Sequence, residues 1–151
     1  MPGDDLTISG FKEIEAQLLS LESGEVADKI QRDALRAAGN VIKPALIAAT
    51  PLRKTTAYGK ALPEGALKEA VRAVPRLGKD GEAPTETVDF GKLSYIANIV
   101  DQGHVNVRSK KRTHVPAYPF IREVEEATHA EAAEAYVAAL QAGINKALEG
   151  K

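Results

Sequence analysis

The side chains of this sequence that carry chemistry fall into three groups. They are the histidines His104, His114 and His129, a row of glutamates that includes Glu123 and Glu126, and the basic cluster in "VRSKKRTH". The histidine spacings match no zinc signature. There is no cysteine, so disulfides, thiolate metal sites and cysteine nucleophiles are excluded. His104 and His114 would approach each other across a hairpin, but two histidines beside a basic tip are ordinarily surface residues rather than ligands. Glu123 and Glu126 have the residue type for paired acid–base work, yet such a row on a helix is ordinarily its solvated face. "GKALPEG" contains a Gly-Lys pair, but Ala61 follows Lys60 where a phosphate-binding loop places Ser or Thr on its metal. A Gly-x-Ser-x-Gly elbow is absent, and so is a Gly-x-Gly-x-x-Gly turn between strand and helix. The expectation is a protein that is not an enzyme, with no catalytic residue, no cofactor and no metal.

The basic cluster remains: Arg108, Lys110, Lys111 and Arg112. Its functional reading is contact with phosphate or with an acidic protein surface. The blander reading is a solubilising loop. Aromatic residues for base stacking are missing from the tip, and no helix-turn-helix or other sequence-reading module is evident. Contact through charge alone stays open, and a small nucleic-acid-associated protein using residues 108–112 as a phosphate clamp is the alternative function.

Charge along the chain is uneven. Residues 1–50 carry 5 basic and 8 acidic groups, residues 51–114 carry 12 and 7, and residues 115–151 carry 3 and 6. A basic middle third therefore lies between two acidic ends. The length of 151 residues suits a single domain spanning 1–151. Few aromatics and many alanines point to a small-aliphatic, helix-favouring core. No run is long and apolar enough for a membrane span, and "MPGDDLTISG" does not read as a secretory signal.

The elements that must position these groups follow from periodicity. Phe11, Ile14, Leu18 and Leu21 predict a first helix from Gly10 to Leu21, with Ser9 as its N-cap. Val26, Ile30, Leu35, Ala38, Ile42 and Leu46 predict a second helix over 25–49, kinked near Asn40 by Pro44 and ended at Thr50-Pro51. The segment 51–65, with Pro51, Gly59, Pro63, Gly65 and the cations Arg53, Lys54 and Lys60, reads as an exposed, mobile loop. Residues 66–74 alternate without a clear period, and Pro75 leaves too little length for a helix, so a strand is expected there. It should pair through a turn-rich connector with a strand at 85–91. Tyr95, Ile96, Ile99 and Val100 then predict a short helix that Gly103 ends in the left-handed conformation.

Val105 and Val107 on one side of the basic tip, with Thr113 and Val115 on the other, predict a charged-tip hairpin over 105–115, also mobile. A last helix is expected from Pro119 to Leu148, with proline at its first turn. Its apolar stripe would be Phe120, Ile121, Val124, Ala127, Thr128, Ala135, Leu140, Ile144 and Leu148. Its outer face would be Glu123, Glu125, Glu126, Glu131 and Glu134. Runs of helix, then strands, then one long helix argue for an α+β fold, a small antiparallel sheet packed against N-terminal helices and a long C-terminal helix.

"SYIANIVDQGH" followed by "VPAYPFIREVEEA" resembles the neck and minor tail component family of long, non-contractile-tailed bacteriophages. The pattern falls on Tyr95, Asp101 and Gly103, then on Pro116, Ala117, Pro119, Phe120, Ile121 and Arg122. Upstream, "AATPLRKT" and "GALKEAV" are similar to the family's Ala-Pro loop and Gly-x-Leu strand entry, at Pro51, Gly65 and Leu67. The chain departs from the family pattern at "DQGH" and in the long, basic 51–65 segment. The resemblance implies a structural virion protein of the head–tail connection or upper tail, acting as a homo-oligomeric ring in tail completion or head–tail joining. It implies other neck and tail proteins as partners. The basic groups Arg108, Lys110, Lys111, Arg112, Arg53 and Lys54 would then face a neighbouring subunit, or DNA crossing the channel. It also explains a stiff proline lead-in after a basic loop: the lead-in would lock the hairpin onto the last helix.

Overall fold

Two long helices form the frame, α2 (Gly24–Ala49) and α5 (Phe120–Glu149), of 26 and 30 residues. At the usual rise per residue they reach about 39 and 45 Å. The computed structural model describes residues 11–21, 24–52, 56–57, 60–76, 78, 82–106 and 113–150. A short helix, α1 (Phe11–Leu19), precedes the frame. The expected first helix is thus present and shorter, while Ser9 lies outside the described residues. α2 runs through Pro44 without a break in its helical assignment. It ends at Thr50, whose hydroxyl and backbone N–H both donate to the Leu46 carbonyl, at 2.6 and 3.0 Å. Pro51 follows and cannot extend the helix.

The core has two parts that sit at opposite ends of the α2–α5 pair. Ile14, Leu18, Ile30, Ala34, Leu140 and Ile144 close one end, where α1 joins the start of α2 and the end of α5. Leu46, Leu67, Val71, Phe90, Ile96, Ala97, Val100, Phe120 and Val124 close the other. The start of one helix packs beside the end of its partner, so the two helices are antiparallel. Gly143 lets them come close: a methyl group there would lie 2.8 Å from the Ile30 Cγ2.

The buried positions of α5 are Phe120, Val124, Thr128, Ala132, Leu140 and Ile144. Steps of four residues advance about 40° beyond a full turn, so this row winds around the helix as it runs. That winding corrects the expected stripe. Ala127 and Leu148 are exposed, and Ala132 is buried in their stead. The five glutamates expected outside are all exposed.

Among the described residues the strands form three separate antiparallel pairs rather than one continuous sheet. β1 (Thr56–Ala57) pairs with β2 (Lys60–Ala61), so part of the expected 51–65 loop is paired strand. Residues 66–74 are not one strand. They divide into a single helical turn, α3 (Ala66–Glu69), and the start of β3 (Arg72–Arg76). Leu67 and Val71 decide this, because both are buried in the larger core cluster and a four-residue step brings them to one side. β3 pairs with β4 (Thr85–Asp89), Arg72 opposite Asp89 and Ala73 opposite Val88. This ladder packs on α2. A 3-10 turn (Gly91–Leu93) leads into α4 (Ser94–Gln102). β5 (His104–Asn106) and β6 (Thr113–Val115) are the bases of the expected basic hairpin. The molecule is therefore α+β, with a small antiparallel ladder against the N-terminal helices and a long C-terminal helix.

One ion pair fixes the end of the β3–β4 ladder. The Arg72 Nε donates to the Asp89 Oδ1 at 2.8 Å, and the same oxygen accepts from the Gly91 N–H at 2.8 Å. The hydrogen bond from Arg72 holds the Asp89 carboxyl below its ordinary range, against an opposing effect of burial, with smaller help from the Gly91 amide. A depressed carboxyl contributes stability that is present above its unfolded value, near 3.9, and is lost as pH falls through the lower folded value. Asp89→Asn keeps the oxygen and removes the charge. It should lower the melting temperature at about pH 6, with the gap closing towards about pH 2. A gap that is constant across that range would show that the charge contributes nothing.

Candidate functional site

Asp101, Gly103 and Phe120 come together where α4 ends and α5 begins. α4 buries Ile96, Ala97 and Val100 against the larger core cluster. Its last turn brings Asp101 and Val100 against the start of α5. The Ile121 N–H donates to the Asp101 Oδ1 at 2.8 Å, and the Tyr118 N–H donates to the Val100 carbonyl at 3.1 Å.

The chemistry behind this contact is an unfilled cap. The first amides of any helix lack partners within the helix and carry its positive end. Pro119 occupies the N-cap position of α5 and makes no side-chain cap. Asp101, 20 residues earlier in the chain, supplies the missing acceptor together with a negative charge. Asp101→Ala should therefore lower stability by about 1 kcal/mol in urea unfolding. Asp101→Asn should recover most of that loss. Equal losses from the two variants would mean that the cap is not what Asp101 provides.

Gly103 joins α4 to the hairpin with φ 75° and ψ 168°. This corrects the expected left-handed helix stop: φ is positive, but ψ is extended. Glycine is still required, because an added Cβ would lie 2.7 Å from both the Ala117 nitrogen and the Val115 oxygen. From there β5 leaves and β6 returns, and "PAYPF" leads into α5. Phe120 is 1% exposed and meets Phe90 edge to face, ring centroids 5.9 Å apart at 81°. Tyr118 is exposed over the outer side of Phe120, 6.0 Å away.

The remaining pattern residues are surface groups. Tyr95 is 66% exposed, and Pro116, Ala117 and Arg122 are exposed. Arg122 comes only within 4.0 Å of Glu126, both being well solvated, a pair of little energetic weight. The cations Arg108, Lys110, Lys111, Arg112, Arg53 and Lys54 lie outside the described residues. The structure gives the residues on either side of 107–112, Asn106 and Thr113, which are cross-strand partners.

That register also corrects the expectation for the histidines. His104 pairs with Val115 and His114 with Val105. Directly opposed residues share a face and successive residues alternate, so the two imidazoles lie on opposite faces. Among the described residues no group of histidines and carboxylates is placed to hold a metal ion. None of the described helices is long and apolar enough to cross a membrane.

Two features were not singled out from the sequence. One is Phe90 as the partner of Phe120, which its place at the end of an alternating strand would have signalled. The other is Glu86, which shares the inner face of β4 with Val88 and lies against Gly39 of α2. Its signal was a charge two positions before an apolar core residue.

No family model, curated protein or solved structure matches the chain.

Proposed function

We propose that the protein is a structural component of a phage head–tail connection or upper tail, acting as a homo-oligomeric ring in tail completion or head–tail joining. Its place is the virion neck or upper tail, with the host cytoplasm as the site of assembly. Its role is non-catalytic, and its partners are other neck and tail proteins. One observation carries the reading. Three residues of the pattern form a clasp: Asp101 holds the start of α5, Gly103 lets the chain pass close to Val115 and Ala117, and Phe120 anchors α5 in the core. A clasp of this kind gives the hairpin a rigid base while its basic tip serves contact with a neighbour or with DNA in the channel.

Reversing Lys110, Lys111 and Arg112 to glutamate tests the reading. The variant should fold with unchanged stability, since these residues lie in the connection between β5 and β6. Ring-sized species in light scattering, or virion assembly in complementation, should fall. Normal oligomers and normal infectivity from a folded variant would sink the proposal. Steep, salt-sensitive binding of any duplex DNA by the free subunit would instead favour the phosphate-clamp alternative.

A further inference from the structure

A groove of about 280 Å³ opens between α2, β4 and α5. Leu35, Ile42 and Val124 give it apolar walls, and Glu86, Glu125 and His129 stand at its polar positions. Glu86 is the unusual member. In the ladder it faces Pro75, on the same side as the Ala73–Val88 pair, and Val88 packs against the core. A strand with one buried face places apolar residues at such positions. Here there is a carboxylate, and its Oε2 is sealed from water with no hydrogen-bond donor. The other oxygen lies where a side chain at Gly39 would be, 2.7 Å from the site of an added Cβ. A glycine in the middle of α2 disfavours the helix, and an acceptor without a donor disfavours the fold. Both features leave a poorly hydrated negative charge at an apolar groove.

We propose that this groove docks the basic segment 108–112 of a second copy of the chain. The inference rests on the ring reading and specifies its subunit contact. The argument for this occupant is complementarity. The groove joins apolar walls to the carboxylates Glu86 and Glu125. The densest basic run of the chain, Arg108 to Arg112, sits directly beside Val105 and Val107, and Val105 is half exposed on β5. A cation beside a carboxylate that has lost part of its hydration is attracted more strongly than at an open surface. Because groove and segment are different surfaces, the contact runs head to tail, the kind that closes into rings.

The absence of cysteine allows a direct test. Full-length His129→Cys and Ser109→Cys variants are mixed and oxidised mildly. Each carries one thiol, so a mixed disulfide forms only between copies. The expected result is a heterodimer in clear excess over both homodimers, decreasing as salt rises. Adding Glu86→Lys to the His129→Cys protein should reduce its yield about tenfold. Should Glu86→Lys fail to fold, Lys110→Glu with Lys111→Glu in the other partner makes the same charge test from the opposite side. Homodimers in equal amount, or a heterodimer unaffected by charge reversal, would overturn the groove contact. A ring in light scattering without the cross-link also overturns it, and leaves the ring reading standing. The cross-link without any ring-sized species supports the groove contact and counts against closed rings.

Discussion

Phe120→Ala is expected to cost about 3–5 kcal/mol of folding stability, read as a lower urea midpoint with an unchanged slope. The side chain is 1% exposed, its ring meets Phe90 edge to face, and it lies in the same core cluster as Val100 and Val124. Truncation removes the apolar burial and also leaves a cavity that the ends of α4 and α5 cannot both move to fill, since Asp101 ties them together. A domain of this size is ordinarily stable by only about 5–15 kcal/mol, so the variant would lose a large share of the total. Phe120→Leu keeps much of the volume and loses only the ring contact, so its cost should be smaller, within about 1.5 kcal/mol. A loss below about 1 kcal/mol for the alanine variant would mean that Phe120 does not anchor the clasp.

Gly103→Ala is the second substitution with a large expected effect. Its φ of 75° with ψ of 168° belongs to a region open essentially to glycine alone. Forcing a side chain into it costs about 1–3 kcal/mol. The new Cβ would also press on main-chain atoms of Val115, Pro116 and Ala117, the last at 2.7 Å. Main chain cannot swing aside as the end of a long side chain does, so the return of β6 to α5 must shift. Gly24→Ala is the matched control, because nothing lies within 4 Å of its added Cβ. Gly103→Ala should unfold at clearly lower urea than that control, and the Tyr118-to-Val100 hydrogen bond should lose its protection against amide exchange. Equal midpoints for the two variants would refute the account of Gly103. In the ring reading this variant would also impair assembly, through a misplaced hairpin rather than a lost charge.

The elements were legible wherever local periodicity and chain breakers agree. Ile30, Leu46 and the Thr50-Pro51 stop placed α2 to within a residue at each end. The alternation over 85–91 placed β4, which ends two residues earlier at Asp89, and Pro119-Phe120 placed the start of α5. The acidic outer face of α5 was also readable, because solvation depends on residue type. The failures arose where one segment serves two neighbours. Residues 66–74 read as neither helix nor strand because they are both in turn, with Leu67 meeting the core from a helical turn and Val71 from the link to β3. The apolar stripe of α5 was right at Thr128, Leu140 and Ile144 but misplaced at Ala127 and Leu148, because its burial winds from one core cluster to the other.

Sequence by itself determined the long helices, α4, β4 and their order, the uneven charge and the lack of thiol chemistry, since these depend on neighbours within a few positions or on composition alone. Tertiary structure decided what the candidate site is. That Asp101 would reach the Ile121 amide, that Gly103 would need positive φ with extended ψ, and that Glu86 would turn inward against Gly39 are contacts between residues 12 to 47 positions apart. Each depends on how two elements pack rather than on what either one prefers. A cap, a close backbone approach and a desolvated carboxylate are properties of pairs of surfaces, and those surfaces meet only when the chain has folded.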